Sequence, residues 1–211
     1  NSYDISADVL GYPESYYTPP AEAIKEIQIV RGAASLQYGT QFGGLINFVL
    51  KEPPSKKIDA IIRNTIGSNK QYTNFTSIGG KKNKFSFYTF YNHKRGDGFR
   101  NNSNYKSNNI YVYLKQDLSN KTELSGEVTY MNYLAKQAGG LSDRMFIDNP
   151  MQSNRSRNWF ELDWLLYNFK FKHRFNEKTN LSFNFFGLDA ERNTVGFRTN
   201  RVDQVDPFTE R

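Results

Sequence analysis

The 211-residue chain has no cysteine, only two histidines, and no apolar run long enough to form a membrane-spanning helix. Without cysteine there is neither a disulfide framework nor a thiolate metal site. With only His93 and His173 and no His-x-x-x-His spacing, metal-assisted hydrolysis lacks a ligand set. Ser35 and Ser142 lack the Gly-x-Ser-x-Gly setting of a strained nucleophile, so no enzyme class, cofactor or metal site is expected. Aliphatic residues are also scarce: 37% of the chain is hydrophobic, yet aromatics reach 16%, with 17 Phe and 14 Tyr. Aromatic wealth without aliphatic wealth fits a β-barrel better than a compact soluble core. Nothing at Asn1 reads as a signal peptide, so the N-terminus is not expected to be the native one.

The formal net charge of +7 raises the possibility of nucleic-acid binding, but the basic residues scatter over presumed loops, turns and one strand face. No nucleic-acid partner is expected. Gly79-Gly-Lys-Lys-Asn-Lys84 lacks the spacing and following helix of a phosphate loop and reads as a solvated turn.

From residue 58 onward, seven segments alternate: about 58–67, 71–79, 84–92, 107–118, 121–133, 162–175 and 179–191. In the sixth, Leu165, Tyr167, Phe169 and Phe171 oppose Asn168, Lys170, Lys172 and Arg174. In the fourth, Ile110, Val112 and Leu114 oppose Tyr111, Tyr113 and Lys115; in the fifth, Leu124, Val128 and Tyr130 oppose Glu123, Ser125 and Glu127. A soluble sandwich would turn the apolar faces inward, whereas a membrane barrel turns them to lipid. Alternation alone does not choose, but the links do: every even-numbered link is short, while the odd-numbered ones grow long. Transmembrane barrels sort their turns and loops in this way. Trp159, Phe160 and Trp164 then fall where an interfacial aromatic girdle is expected, and His173 falls on the lipid side near a strand end. Seven strands cannot close a barrel, so the chain reads as a fragment.

Ahead of these strands lies Ile27-Gln-Ile-Val-Arg-Gly-Ala-Ala-Ser-Leu-Gln-Tyr-Gly-Thr-Gln-Phe-Gly-Gly-Leu-Ile-Asn-Phe-Val-Leu-Lys51. It reads as a strand with a buried face, a sharp reversal at Gly32, a helical turn over 33–38 and a second strand. This run resembles the end of the plug domain in TonB-dependent outer-membrane receptors. Gly11–Ile24, Gly139–Asp143, Asn154–Phe160, Phe186–Arg192 and Val195–Arg198 resemble the ferric citrate type within that family. The carbohydrate-importing branch usually carries Lys-Asp-Ala where this chain has Arg31-Gly32-Ala33, which disfavours glycan import.

The resemblance implies a mostly β fold: about seven strands of an expected 22-stranded transmembrane antiparallel barrel, preceded by the C-terminal part of an α+β plug. Residues 1–54 would belong to the plug and 55–211 to the barrel and its extracellular loops. It further implies a receptor of the bacterial outer membrane, not an enzyme. Such a receptor binds a ferric, citrate-like chelate outside and imports it with energy from a TonB-type protein, whose box is not in this stretch. Outer-membrane lipid and lipopolysaccharide would be its surroundings. An anionic chelate needs cationic and amide donors, so Arg144, Arg155 and Arg157 in the longest loop and Gln41 at the expected plug apex are the candidate ligand contacts. Arg31 is the candidate for plug–barrel contact, with Glu123, Glu127 or a glutamate beyond residue 211 as partner. The alternatives are import of another nutrient, a structural or adhesive barrel subunit in a larger surface complex, and a passive porin.

Overall fold

The computed structural model describes residues 3–5, 16–32 and 43–196. A 3₁₀ turn at Ala21–Ala23 leads into β1 (Ile24–Arg31), which pairs antiparallel with β2 (Gly44–Leu50). Gly32 takes a φ of 77° at the end of β1, as the expected reversal requires. The helical turn expected over 33–38 lies outside the described residues. The face of β1 expected to be buried is not: Ile27, Ile29 and Ile46 are all exposed on the hairpin. Only its base is covered, where Ala23 and Leu50 sink into an aromatic cluster.

Seven further strands form one sheet in which every strand pairs antiparallel with its sequence neighbours. They are β3 (Asp59–Ile66), β4 (Tyr72–Lys82), β5 (Phe85–Gly96), β6 (Tyr105–Asp117), β7 (Thr122–Lys136), β8 (Trp159–Arg174) and β9 (Asn180–Val195). The only described α-helix, α1 (Asp143–Asp148), lies in the β7–β8 loop and is capped by Ser142. No described helix is long and apolar enough to cross a membrane.

All seven predicted strands are present, and most run further than their apolar alternation does. The extra length lies mainly at one end of the sheet, at His93–Gly96, Tyr105–Lys106, Leu134–Lys136, Trp159–Glu161 and Arg192–Val195. Here both faces carry polar groups, so the pairing continues without the pattern that marks a lipid-facing strand. At about 3.3 Å per residue the 16-residue β8 spans about 50 Å, against about 33 Å of strand needed to cross the roughly 25 Å apolar band of a membrane barrel at a tilt of about 40°. The turns at the opposite end are 83–84, 118–121 and 175–179, while the loops at the long end are 67–71, 97–104 and 137–158. The parity of link lengths therefore holds.

Register assigns each side chain to a face. Val112, Leu114, Val128, Tyr130, Tyr167, Phe169 and Phe185 share one face and are exposed there. Phe75, Tyr88, Phe90 and Tyr111 share the other and bury Ala23 and Leu50. Further round that inner face, Leu162, Trp164, Leu166 and Met131 bury Tyr17, with Tyr3, Ile5 and Tyr16 packed beside them. The apolar groups of the first face thus do not meet one another across a dry core. The second face carries the packing, and its cover comes from the N-terminal 50 residues.

This register corrects the aromatic girdle. Phe160 and Trp164 stand on the same face as Asn168 and Lys170, point inward and are buried; of the three expected girdle residues only Trp159 has outward parity. His173 does stand on the outward face, hydrogen-bonded to Thr122 (2.9 Å), stacked parallel to Phe171 and edge-on to Phe175. The reading of Gly79–Lys84 as a solvated turn also needs correction. Gly79 and Gly80 are buried within β4, and only Asn83–Lys84 form the turn. A Cβ on Gly80 would lie 2.2 Å from the Lys57 carbonyl, so the segment entering β3 passes where only glycine leaves room.

Candidate functional site

Two regions concentrate polar chemistry: the long-loop end of the sheet and the inner face. At the loop end, Arg100 in the β5–β6 loop reaches into the β7–β8 loop and donates from all three guanidinium nitrogens. Nη1 bonds the Gly139 carbonyl at 2.7 Å, Nε the Gln152 carbonyl at 3.0 Å and Nη2 the Ala138 carbonyl at 3.3 Å. Asn102 has its amide nitrogen within reach of the Gln137, Arg155 and Asn158 carbonyls, so its two N–H groups are shared among three acceptors. The Asn101 amide adds a bond to the Met151 carbonyl. The 22-residue β7–β8 connection is thereby held against its neighbour through backbone oxygens outside α1, the groups that irregular segments leave unpaired.

The clamp continues to the first loop. The Asp97 amide donates to the Asn69 carbonyl, and the Lys70 ammonium lies 2.7 Å from the Asp97 carboxylate. Hydrogen bonding to Asp97, then its charge, raises the Lys70 ammonium above its ordinary value. Three successive loops are therefore linked into one surface.

Three of the four predicted ligand contacts belong to the β7–β8 loop that forms part of this surface. Arg144 is exposed on α1, and Arg155 and Arg157 are half-buried further along the same loop. Arg155 donates from Nη1 to the Asn154 carbonyl at 2.8 Å, and its stem packs against Gly139, where φ is 75° and a Cβ would meet Arg155 Cγ at 2.6 Å. Gln41 lies outside the described residues. Arg31 ends β1 opposite Gly44 and is exposed.

Neither Glu123 nor Glu127 turns to Arg31. Glu123 is held by Lys115 (2.6 Å) and Lys172 (3.4 Å), all on the inner face. Glu127 is buried, accepting from the Tyr111 hydroxyl at 2.5 Å and from Asn168 Nδ2 at 2.9 Å. Among the described residues, the ion pair that links the two parts is instead Arg63 of β3 with Glu22 beside the hairpin base, 3.7 Å apart. A second link is aromatic: Arg192 of β9 donates to the Tyr16 hydroxyl at 3.1 Å and lies 5.7 Å above the Tyr16 ring and 5.1 Å from Phe160. Sequence reasoning missed Arg63, Arg100, Asn102 and Arg192. Parity would have put Arg63 and Arg192 on the inner face, but Arg100 and Asn102 bind backbone carbonyls and carry no sequence signature.

No family model and no curated protein matches the chain. Among solved structures it is similar to the unliganded ferric citrate transporter FecA, with a TM-score of 0.64 and 19% identity over 83% of this chain and 26% of that one. It is also similar to the ferric-catecholate import receptor Fiu from E. coli K12, with a TM-score of 0.69 and 13% identity over 86% of this chain and 32% of that one. The ferripyoverdine receptor of the outer membrane of Pseudomonas aeruginosa gives a TM-score of 0.61 and 16% identity over 72% of this chain and 22% of that one. The chain spans about a quarter to a third of the length of these receptors. The chain is mostly β, with the partial antiparallel barrel fold of TonB-dependent outer-membrane receptors.

Proposed function

We propose that the chain is the plug-to-barrel portion of a TonB-dependent receptor in the bacterial outer membrane, which binds a ferric, citrate-like chelate from outside and imports it with TonB-supplied energy. Residues 1–54 belong to the plug and 55–211 to the barrel wall. The observation that carries this reading is the two-sided sheet: an exposed apolar outer face, and an inner face whose aromatic groups bury Tyr17, Ala23 and Leu50 from the N-terminal segment. A passive pore has no use for such a seated segment. The linked outer loops support a ligand role, because a binding surface gains affinity when its elements are held in place beforehand. Arg144, Arg155 and Arg157 supply cationic donors on that surface, Gln41 an amide donor from the plug, and Arg31 a plug contact to the wall.

The test is binding of radio-iron citrate to outer membranes carrying the whole gene product. Saturable binding is expected, and Arg155→Ala or Arg157→Ala should weaken it by about tenfold, the factor that loss of one charged hydrogen bond implies. Absence of saturable binding by iron-loaded citrate and by other ferric chelates would refute the reading.

A further inference from the structure

We infer that the inward row Lys170, Lys172 and Arg174 of β8 is a transit site for the anionic chelate, a second anion-binding wall between the N-terminal segment and the periplasm. This rests on the receptor reading above.

Residues two apart on a strand share a face, so the three cations continue the inward set of Trp164, Leu166 and Asn168 at steps of about 6.6 Å. Beside them β9 contributes only neutral inward groups, Asn184, Ser182 and Asn180. Short turns mark the periplasmic end of a membrane barrel, and the row runs toward them. Two hollows follow it. The upper, of about 180 Å³, lies between Leu50–Glu52 at the end of the hairpin and Tyr113, Ser125, Lys170 and Lys172 of the wall. The lower, of about 600 Å³, shares Glu123 and Lys172 with the upper and continues past Arg174, Asn180 and Ser182. No described residue of the N-terminal segment lines the lower hollow. The row therefore starts against the end of the seated segment and leads away from it.

The charges along this wall do not cancel. Lys115 and Lys172 hold Glu123 at 2.6 and 3.4 Å, and Lys115 also holds Asp117 at 3.7 Å. Glu52 pairs with Lys25 at 3.3 Å, and Glu127 is buried against Tyr111 and Asn168. Every carboxylate lining either hollow is thus engaged. Lys51, Lys170 and Arg174 have no carboxylate partner among the described residues, which leaves the wall a positive surplus.

The residue types suit passage better than capture. Arg155 and Arg157 of the longest loop carry planar forks that can fix a carboxylate bidentately, whereas a lysine ammonium is a hydrated point charge on a flexible stem. Several weak sites at short steps let an ion enter and leave again. The ligand class is accordingly a soluble polycarboxylate anion, and a neutral chelate gains nothing from this wall.

The test uses the whole gene product in outer membranes of energised cells, with radio-iron citrate as probe, and reads surface binding and uptake separately. Lys170→Gln with Arg174→Gln should leave binding within about twofold. It should slow uptake at saturating chelate by about tenfold, the worth of two unit charges about 7 Å away in a wet lumen. Lys170→Arg with Arg174→Lys keeps both charges and should restore most of the rate, which a role in packing would not allow. Ser182→Glu, cross-strand from Lys172 and exposed, should slow uptake in the same way and carries the test if the double glutamine variant does not assemble as a heat-modifiable barrel. Unchanged uptake with unchanged binding overturns the transit site alone, and so does a parallel loss of both. No saturable binding of iron citrate by the unaltered protein overturns the citrate reading, and the transit site falls with it.

Discussion

Arg100→Ala should release the longest loop while leaving the barrel wall intact. Arg100 donates hydrogen bonds of 2.7, 3.0 and 3.3 Å to carbonyls of Gly139, Gln152 and Ala138, joining two loops that share no strand. Charged hydrogen bonds contribute about 1.5–3 kcal/mol each, and the longest of the three counts for little. The loop is open enough for water to take over the freed carbonyls, so the net loss should be about 3 kcal/mol, confined to local opening. That is about a hundredfold in an equilibrium constant. Hydrogen exchange reads it directly at the Gln137 and Asn154 amides, which donate to the Asn158 and Ala138 carbonyls across the loop base. The paired amides of β7 and β8 serve as the internal control, since no Arg100 bond reaches them. Arg100→Lys keeps the charge but offers one ammonium to three divergent acceptors, so most of the loss should remain. Unchanged protection at Gln137 and Asn154, or full rescue by lysine, would refute the clamp.

Val128→Lys introduces a charge on the outward face at mid-band and should destabilise the folded barrel by about 2–4 kcal/mol, seen as a lower unfolding midpoint in lipid vesicles; an unchanged midpoint would contradict the outward assignment. Trp164→Ala removes a side chain only 1% exposed that meets Tyr16 edge-on at 6.0 Å. It should cost about 3–5 kcal/mol and loosen residues 16–17, whereas a tryptophan in a lipid-facing girdle would leave their proteolytic protection untouched.

The strands were legible because one face of each is exposed and apolar while the other mixes polar groups with covered aromatics, which leaves a period of two in the sequence. Their extensions at the long-loop end were not legible, because polar groups there break the alternation even where one inward residue, Phe160, is buried. Pairing there is carried by backbone bonds such as those of His93–Gly96 with Tyr105–Asn108, to which side-chain polarity is indifferent. The loop clamp was illegible for a related reason. Arg100 and Asn102 recognise carbonyls that every residue possesses, so nothing at positions 137–158 announces their partners.

The misplaced girdle is more instructive, because there the signal was present and a second rule displaced it. Phe160, Leu162, Trp164 and Leu166 share parity with Asn168, Lys170 and Lys172, which the alternation already put on the inner face. Aromatic residues near a strand end also fit an interfacial belt, and that expectation took precedence over parity. The physics favours parity: consecutive side chains of a strand point to opposite faces, so turning Trp164 outward without turning Asn168 needs a bulge, and the β7–β8 register runs without a shift from Thr122–His173 to Lys136–Trp159. An inner face that changes from lysine and asparagine at one end to tryptophan and leucine at the other therefore reports what covers it. Apolar inward residues mark where the N-terminal segment sits, and Tyr17 is found against them. The same rule predicts, from β9, that inward Leu188 and Ala190 belong to that seat, and both pack there.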